Sequence, residues 1–356
     1  MSGAASPHLP SSPASKKLKL SPDSSSSTSI STSNSTMSTQ HEHLTHSIVG
    51  LGNPLLDISA DVDQEFLEKY GLKLDNAILA DETHLPLYEE ITTAYKPVFV
   101  AGGATQNSIR VAQWMLNKHN NKATSFFGSV GKDEHAKILR DCATRDGVNV
   151  HYLEKEEVAT GTCAVCVVDS ERSLVANLSA ANHYHHEHLE SELAEHANEH
   201  NKVFMLNLSA PFLVQFFKDP LMAAIPYADF VFGNENEAKE FGTAHGWGDD
   251  VKTIAFKLAK LPKNNGARSR TVVFTQGAEP TIAVYQGEVF SFDVPKLAAS
   301  EIVDTNGAGD AFVGGFVSRL SLGKPLVDCV NAGHWAAQVV LRRSGCTFPA
   351  ECEYTD

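Results

Sequence analysis

The run Asp304-Thr305-Asn306-Gly307-Ala308-Gly309-Asp310 holds the residues best suited to chemistry. β-Branched residues lead into it at Ile302 and Val303, Asn306-Gly307 breaks the chain, and small and apolar residues follow as far as Phe316. That order predicts a strand, a tight turn and a helix N-terminus. Gly307 and Gly309 leave the backbone uncovered, so several orphan N–H groups can converge where the helix dipole is positive, an arrangement that holds anions. Asp310 falls in the first helical turn. Its carboxylate either shelters the N–H groups as a cap or serves as a base. As a base it would take a proton from an alcohol while Asn306, Gly307, Ala308 and Gly309 form an anion hole for phosphoryl oxygens.

Other phosphate loops do not fit. Gly128-Ser129-Val130-Gly131-Lys132 runs into Asp133 and lacks the spacing of Gly-x4-Gly-Lys-Ser/Thr. Phe312 stands where a dinucleotide fingerprint after Gly307-x-Gly309 needs its third glycine.

Positioning these residues requires elements on either side. Ser47–Leu51 reads as an apolar strand that ends in Gly52-Asn53-Pro54, followed by Asp57, and strand ends carry ligands in α/β folds. Asn53 serves as a turn former or a ligand contact, and a buried Asp57 needs a partner. Gly102-Gly103 opens a helix over 104–118. The glycines permit a ligand, or simply the neighbouring strand, to approach the backbone, and Asn107 lies one turn in. Helices are expected over 63–70, 82–95, 133–145 and 326–342, with strands over 123–131 and 147–153. This alternation predicts an α/β fold with a mostly parallel sheet flanked by helices. Residues 160–168 and 172–179 read as a hairpin with one polar face, part of a small lid sheet, on which Arg172, Leu174, Ala176 and Leu178 point one way. Strands are also expected over 202–212, 229–233 and 271–275, with a hairpin over 281–292. Asn234 and Glu237 either form a capping box or hold waters around a magnesium ion, with no direct metal ligand.

The 356-residue chain carries a net charge of −14, which argues against nucleic acid as a partner. No apolar run is long enough for a membrane and no signal peptide opens the chain. Six scattered cysteines fit reduced thiols and a cytoplasmic or nuclear setting; Cys163 and Cys166 face opposite sides of a strand. Histidines at 183, 185, 186, 188, 196 and 200 read as an exposed polar helix, although His196 and His200 have the spacing of metal ligands. Residues 1–46, rich in Ser, Thr and Pro, read as a disordered tail. Lys16-Lys17-Leu18-Lys19 in that tail is either a nuclear import signal or a solvated charge cluster. Residues 351–356 form a short C-terminal tail.

The Asp304–Asp310 signature with Gly102-Gly103 resembles the ribokinase-like family of sugar and nucleoside kinases. Gly52–Asp57, Gly102–Ser108, Leu206–Phe212 and Gly345–Pro349 resemble its nucleoside-kinase members, and the likeness runs over 47–350. It implies a Rossmann-like domain with a lid from about 55–102 and 158–181, transferring the γ-phosphoryl of ATP, with Mg²⁺, to the 5′-hydroxyl of adenosine. By the same resemblance Asp310 is the base and Asn306 to Gly309 the anion hole. Asn53, Asp57, Gly102, Gly103 and Asn107 grip the ribose. Leu174, Ala176 and Phe212, with Arg172 on the same lid strand, line the nucleoside pocket. Asn234, Glu237, Thr275, Gly277 and His334 lie along ATP. The expected partners are adenosine and ATP, without nucleic acid or membrane, and the expected state is a monomer.

One departure stands out. The family carries a further strand and helix, with an aromatic segment facing the nucleoside, between the lid hairpin and Val203. About 30 residues, one βα unit, are absent here. The loss should leave a gap in the sheet or force its neighbours together. It sets two rivals beside the leading reading: a catalytically impaired variant, or a related kinase acting on a sugar.

Overall fold

The computed structural model describes residues 16–18, 48–74, 76–116, 122–169, 171–183, 194–264 and 266–355. The tail expected over 1–46 lies outside these residues except for β1 (Lys16–Leu18). The backbone of β1 adds an antiparallel edge strand to the main sheet, so this part is not the free coil that the composition suggested. Lys19 and three of the histidines, at 185, 186 and 188, also lie outside the described residues.

From residue 48 the chain alternates in the expected way. β2 (Ile48–Leu51) stops at Gly52-Asn53-Pro54, where proline removes a ladder donor, and β3 (Leu55–Asp61) leaves in a new direction. Then come α1 (Gln64–Lys69), β4 (Asn76–Leu79), α2 (Leu85–Ala94), β5 (Val98–Gly102) and α3 (Ala104–Leu116). They are followed by β6 (Thr124–Gly131), α4 (Glu134–Arg145), β7 (Asn149–Lys155), β8 (Thr162–Val168) and β9 (Glu171–Asn177). Asp63 and Asp133 cap α1 and α4 by accepting from N–H groups one turn on. The second half holds β10 (Met205–Asn207), α5 (Pro211–Phe216), α6 (Lys218–Ala224), β11 (Phe230–Asn234), α7 (Glu235–Ala244) and α8 (Val251–Ala259). β12 (Thr271–Gln276), β13 (Glu279–Tyr285), β14 (Glu288–Phe292), α9 (Ala308–Ser321) and α10 (Leu326–Leu341) complete it.

These strands form three sheets. β4-β9-β8-β3-β5 is a five-stranded sheet apart from the body. The body holds β2-β6-β7, all parallel, and β1-β14-β13-β12-β11-β10, in which β10, β11 and β12 run parallel. A single central sheet was expected. It is divided instead: among the described residues β2 pairs with β6 alone, and β10 with β11 alone. The missing βα unit has therefore left a gap, and the flanking strands have not closed over it. Among the described residues β10 has no second partner strand, and its three residues stay partly exposed.

Helices α3, α9 and α10 bridge the division. Ile48 of β2 and Phe230 and Phe232 of β11 belong to one apolar cluster with Ile109, Phe312 and Phe316 from α3 and α9. Burying each such side chain stabilises the fold by about 1.5–3 kcal/mol. α9 comes close to its neighbours because it presents Gly314 and Gly315. A Cβ there would lie 2.6 Å from Ser108 O and 2.5 Å from Ala332 O.

One local expectation fails, and a second lies largely outside the described residues. Ile302–Thr305 pair with no strand; the N–H groups of Val303 and Asp304 both donate to Leu341 O at the end of α10 (2.8 and 3.2 Å). The histidine-rich segment is not one continuous described helix. A 3₁₀ turn ends at His183 and helix resumes at 194–199, with 184–193 outside the described residues. The His196 and His200 rings lie 4.1 Å apart and are exposed, and no cluster of three or more potential metal ligands occurs among the described residues. No helix among them is long and apolar enough to cross a membrane.

Candidate active site

The loop before α9 is held by one buried carboxylate. Asp304, 2% exposed, accepts from the N–H of Asn306 (2.6 Å), the N–H of Gly345 (2.6 Å) and the Arg172 guanidinium (2.5 Å). The chain then turns through Gly307, the N-cap of α9, with φ of +78°. A side chain there is excluded twice, by this left-handed conformation and by Cys346, whose Cβ would lie 2.6 Å from an added Cβ. The N–H of Ala308 donates to Thr305 O at 3.3 Å. Those of Gly307, Gly309 and Asp310 meet no protein acceptor among the described residues. Of the expected anion-hole residues Asn306 to Gly309, the Asn306 N–H is taken by Asp304 and the Ala308 N–H by its own turn, which leaves those of Gly307 and Gly309, with that of Asp310, open at the helix tip.

Asp310 projects from the first turn of α9 and accepts from Asn107 Nδ2 at 3.0 Å. Burial raises its carboxyl to about 6, and the Asn107 hydrogen bond works against that rise. Asp57 lies opposite, 7% exposed, and accepts from Asn306 Nδ2 at 3.0 Å. Burial pushes it up to about 7; the Asn306 bond opposes this, and Asp310 and Asp304 add to it. Two carboxylates thus stand close enough to repel each other, each held by an asparagine.

The glycine pair makes the close approach possible. A Cβ on Gly102 would lie 2.2 Å from Asp57 Oδ1. Gly103 has φ of +90°, and a Cβ on it would lie 2.3 Å from Asn53 O. So Asn53, Asp57, Gly102, Gly103 and Asn107 come together at the end of β5 and the start of α3.

Cross-strand register places the lid residues. Asp57 pairs with Cys163, Cys163 with Ala176, and Ala176 with Leu79, so all four share one face of the five-stranded sheet. Arg172 and Leu174 lie on that face as well, four and two residues before Ala176. Leu174 and Ala176 form an apolar surface with Leu55 and Leu178, on the side where Asp57 stands. Arg172 turns its guanidinium to Asp304 and to Thr305 Oγ1 (3.2 Å). Phe212 is half-buried in α5, which packs on β4.

On the other side Asn234 caps α7 in a complete capping box. Its Oδ1 accepts from the N–H of Glu237 (2.8 Å), and Glu237 Oε2 accepts from the N–H of Asn234 (2.9 Å). Burial raises the Glu237 carboxyl to about 7, and Asp310 and Glu235 add to the rise. Thr275 and Gly277 lie at the adjoining end of β12, with Thr275 Oγ1 3.5 Å from Gly233 O. His334 lies in the core of α10, 4% exposed. Its Nε2 is 2.8 Å from Thr281 Oγ1, and burial holds it neutral by lowering it to about 4. Its Nδ1 is buried and has no hydrogen-bond partner among the described residues.

Sequence reasoning missed two contributors. Asp304 organises the loop, and its signal was the Asp-x-Asn spacing of a side-chain turn. Arg110, on the inner face of α3, was invisible because a charged residue in a helix normally reads as surface.

The comparisons agree with this geometry. A family model described as pfkB family carbohydrate kinase matches residues 64–352. Adenosine kinase 1 of Arabidopsis thaliana is 49% identical over 336 positions, covering 86% of this chain and 97% of the plant protein. The adenosine kinase of Dictyostelium discoideum is 41% identical over 331, covering 85% and 96%. Those 336 positions take in about 306 of this chain's 356 residues, so some 30 positions of the plant protein face a gap here. The crystal structure of Anopheles gambiae adenosine kinase, in complex with P1,P4-di(adenosine-5) tetraphosphate, superimposes with a TM-score of 0.82. It is 44% identical and covers 86% of this chain and 98% of its own. The carboxylate pair, the open helix tip and these likenesses converge: the chain belongs to the pfkB carbohydrate kinase family, in its adenosine kinase group.

Proposed function

We propose that the cleft between the lid sheet and α9 transfers the γ-phosphoryl group of ATP to the 5′-hydroxyl of adenosine, giving AMP and ADP, a step of purine salvage. The observation that carries this reading is the Asp310 carboxylate beside the open N–H groups of Gly307 and Gly309 at the α9 tip. The nucleoside 5′-oxygen approaches Asp310 and gives up its proton to it. That oxygen forms the new bond to the γ-phosphorus as the bond to the bridging oxygen of ADP breaks. The helix-tip N–H groups take the charge of the moving phosphoryl group, and Asp310 then releases its proton to water. Asp57, with Asn53 and Asn107, suits the ribose hydroxyls. The apolar face of Leu174 and Ala176 suits a base better than a second sugar ring, which would leave its hydroxyls unpaired.

The donor set fits a hydrated magnesium ion. Glu237 and Asp310 are acidic neighbours in a poorly solvated region, and no group of three or more ligands is available among the described residues for direct coordination. Glu237 and Asn234 would hold its water shell, and the ion would offset the charge of the ATP phosphates. In the tail, Lys16, Lys17 and Lys19 support nuclear import. Fusion of residues 1–46 to a fluorescent protein tests this, and equal nuclear signal after replacing all three lysines by alanine rejects it.

The kinase is tested by Asp310→Ala. Turnover should fall by about 10²–10⁴-fold, while adenosine binding measured by calorimetry persists. Near-normal turnover removes Asp310 as the base. The relatives favour an active kinase over an impaired variant or a sugar kinase. Comparing adenosine with ribose as acceptor tests the choice directly.

A further inference from the structure

We infer that Arg110 is a positioning residue that fixes which end of the Asn107 amide faces Asp310. An asparagine side chain offers a carbonyl at one end and an NH₂ at the other, and the two ends have opposite hydrogen-bonding sense. Arg110 Nη1 donates to Asn107 Oδ1 at 3.1 Å, and Asn107 Nδ2 donates to Asp310 Oδ2 at 3.0 Å. A guanidinium has only donors and stays charged. If the amide flipped, its NH₂ would face that guanidinium and its carbonyl oxygen would face the Asp310 carboxylate. Both contacts would be repulsive, so Arg110 leaves Asn107 one orientation.

The orientation matters to the chemistry. A donating amide favours the ionised carboxylate, the form that can accept a proton, whereas an accepting amide favours the protonated acid. Burial already pushes Asp310 toward the acid. Arg110 therefore acts through Asn107 to keep the base ready, without touching substrate.

Arg110 is itself over-determined. It is 2% exposed. Nε donates to Asp146 Oδ2 at 2.7 Å, and Nη1 also reaches Ala101 O and Cys346 O, each at 3.3 Å. It thus joins the end of β5, the turn after α4 and the loop that buttresses Gly307. The ionisable neighbours of Asp310 are Asp57 in the lid, Glu237 in α7 and Cys346. Those of Arg110 are Cys142, Cys346, Asp146, Tyr152 and, across the site, Asp57. Substitution at 110 leaves all of them in place.

This inference rests on Asp310 being the base. The experiment compares wild type, Arg110→Met, Arg110→Lys and Asp146→Ala, with kcat and KM for adenosine followed from pH 5 to 9. Arg110→Met should lose about tenfold or more in kcat with KM changed less than about threefold, and its acidic limb should move to higher pH by about one unit. Arg110→Lys keeps a donor and should return the limb toward wild type. Asp146→Ala loosens the anchor and should move the limb the same way by a smaller amount. A folded Arg110→Met enzyme whose limb stays in place overturns the proposal, even if kcat falls, because that is what a purely structural role gives. If Arg110→Met does not fold, Asp146→Ala decides, and an unmoved limb overturns the proposal. Failure of the base reading looks different: Asp310→Ala would then retain turnover whatever the residue at 110.

Discussion

The Arg172 guanidinium of the lid strand β9 lies 2.5 Å from the Asp304 carboxylate at the start of the anion loop, with both side chains almost fully buried. The pair spans the boundary between the lid sheet and the body. Asp304 also holds Asn306 and Gly345, so the lid is tied to the same carboxylate that shapes the helix tip. Arg172→Met strands that carboxylate without its cation. Removing one partner of a buried pair costs about 3–5 kcal/mol. The urea midpoint should fall accordingly, and KM for adenosine should rise more than KM for ATP. An unchanged midpoint would show that the pair does not hold the lid.

A second prediction concerns pH. The Asp57 carboxyl stands at about 7 in the folded protein against an ordinary 3.8, because burial outweighs the Asn306 hydrogen bond. Below about pH 4 both folded and unfolded chains hold this proton, and there is no penalty. As pH rises toward 7 the unfolded chain ionises first, so stability declines across that window and levels off above it. Asp57 accounts for a decline on the order of 4 kcal/mol. Asp310 and Glu237, raised to about 6 and about 7, act in the same direction. Asp57→Asn keeps an acceptor for Asn306 and removes the charge. The ligand-free variant should gain urea resistance over wild type at pH 8 and gain nothing at pH 4, while adenosine affinity drops. A difference that does not change with pH would show that Asp57 is already ionised at no cost.

Much of the site was legible because its residues are short-range signals. Asn53-Pro54, Gly102-Gly103 and Asn306-Gly307 are turn chemistry, and Asp57, Asn107 and Asp310 stand within a few residues of them. The lid face followed from period-two alternation at Arg172, Leu174 and Ala176. Contacts across 200 or more residues, such as Asn107 to Asp310 and Arg110 to Cys346, have no local signature. Ile302 and Val303 looked like a strand because β-branched residues favour extended backbone, yet the Ile302 N–H donates to Ala299 O and the Val303 N–H to Leu341 O at the end of α10. His334 has the same sequence character whether it lies on a helix surface or in the core.

The glycine pair supplies a third prediction. Alanine at 102 meets a side chain, Asp57, which can rotate away at the expense of the ribose site. Alanine at 103 meets the backbone oxygen of Asn53 and must also adopt a positive φ. Gly103→Ala should therefore cost stability, about 1–3 kcal/mol, whereas Gly102→Ala should cost mainly adenosine affinity. Thermal melting beside calorimetry separates the two, and equal loss of stability in both variants would refute the distinction.

The last prediction follows from the divided sheet. β2 and β10 each keep one edge without a strand among the described residues, and Val49 and Val203 are 55% and 43% exposed. Such edges present unpaired N–H and C=O groups and invite association. In hydrogen exchange the amides of β2 and β10 should exchange well before those of β6, β11 and β12, which are paired on both sides. Val49→Lys should raise the concentration at which the protein aggregates without lowering its unfolding midpoint, since the side chain already faces solvent. Inserting a strand–helix unit of about 30 residues between His183 and Val203, where the family resemblance implies one, should slow exchange in both edge strands and raise the midpoint. If β10 proves as protected as β12 in the chain as it stands, the edge is covered and the gap is not open to solvent.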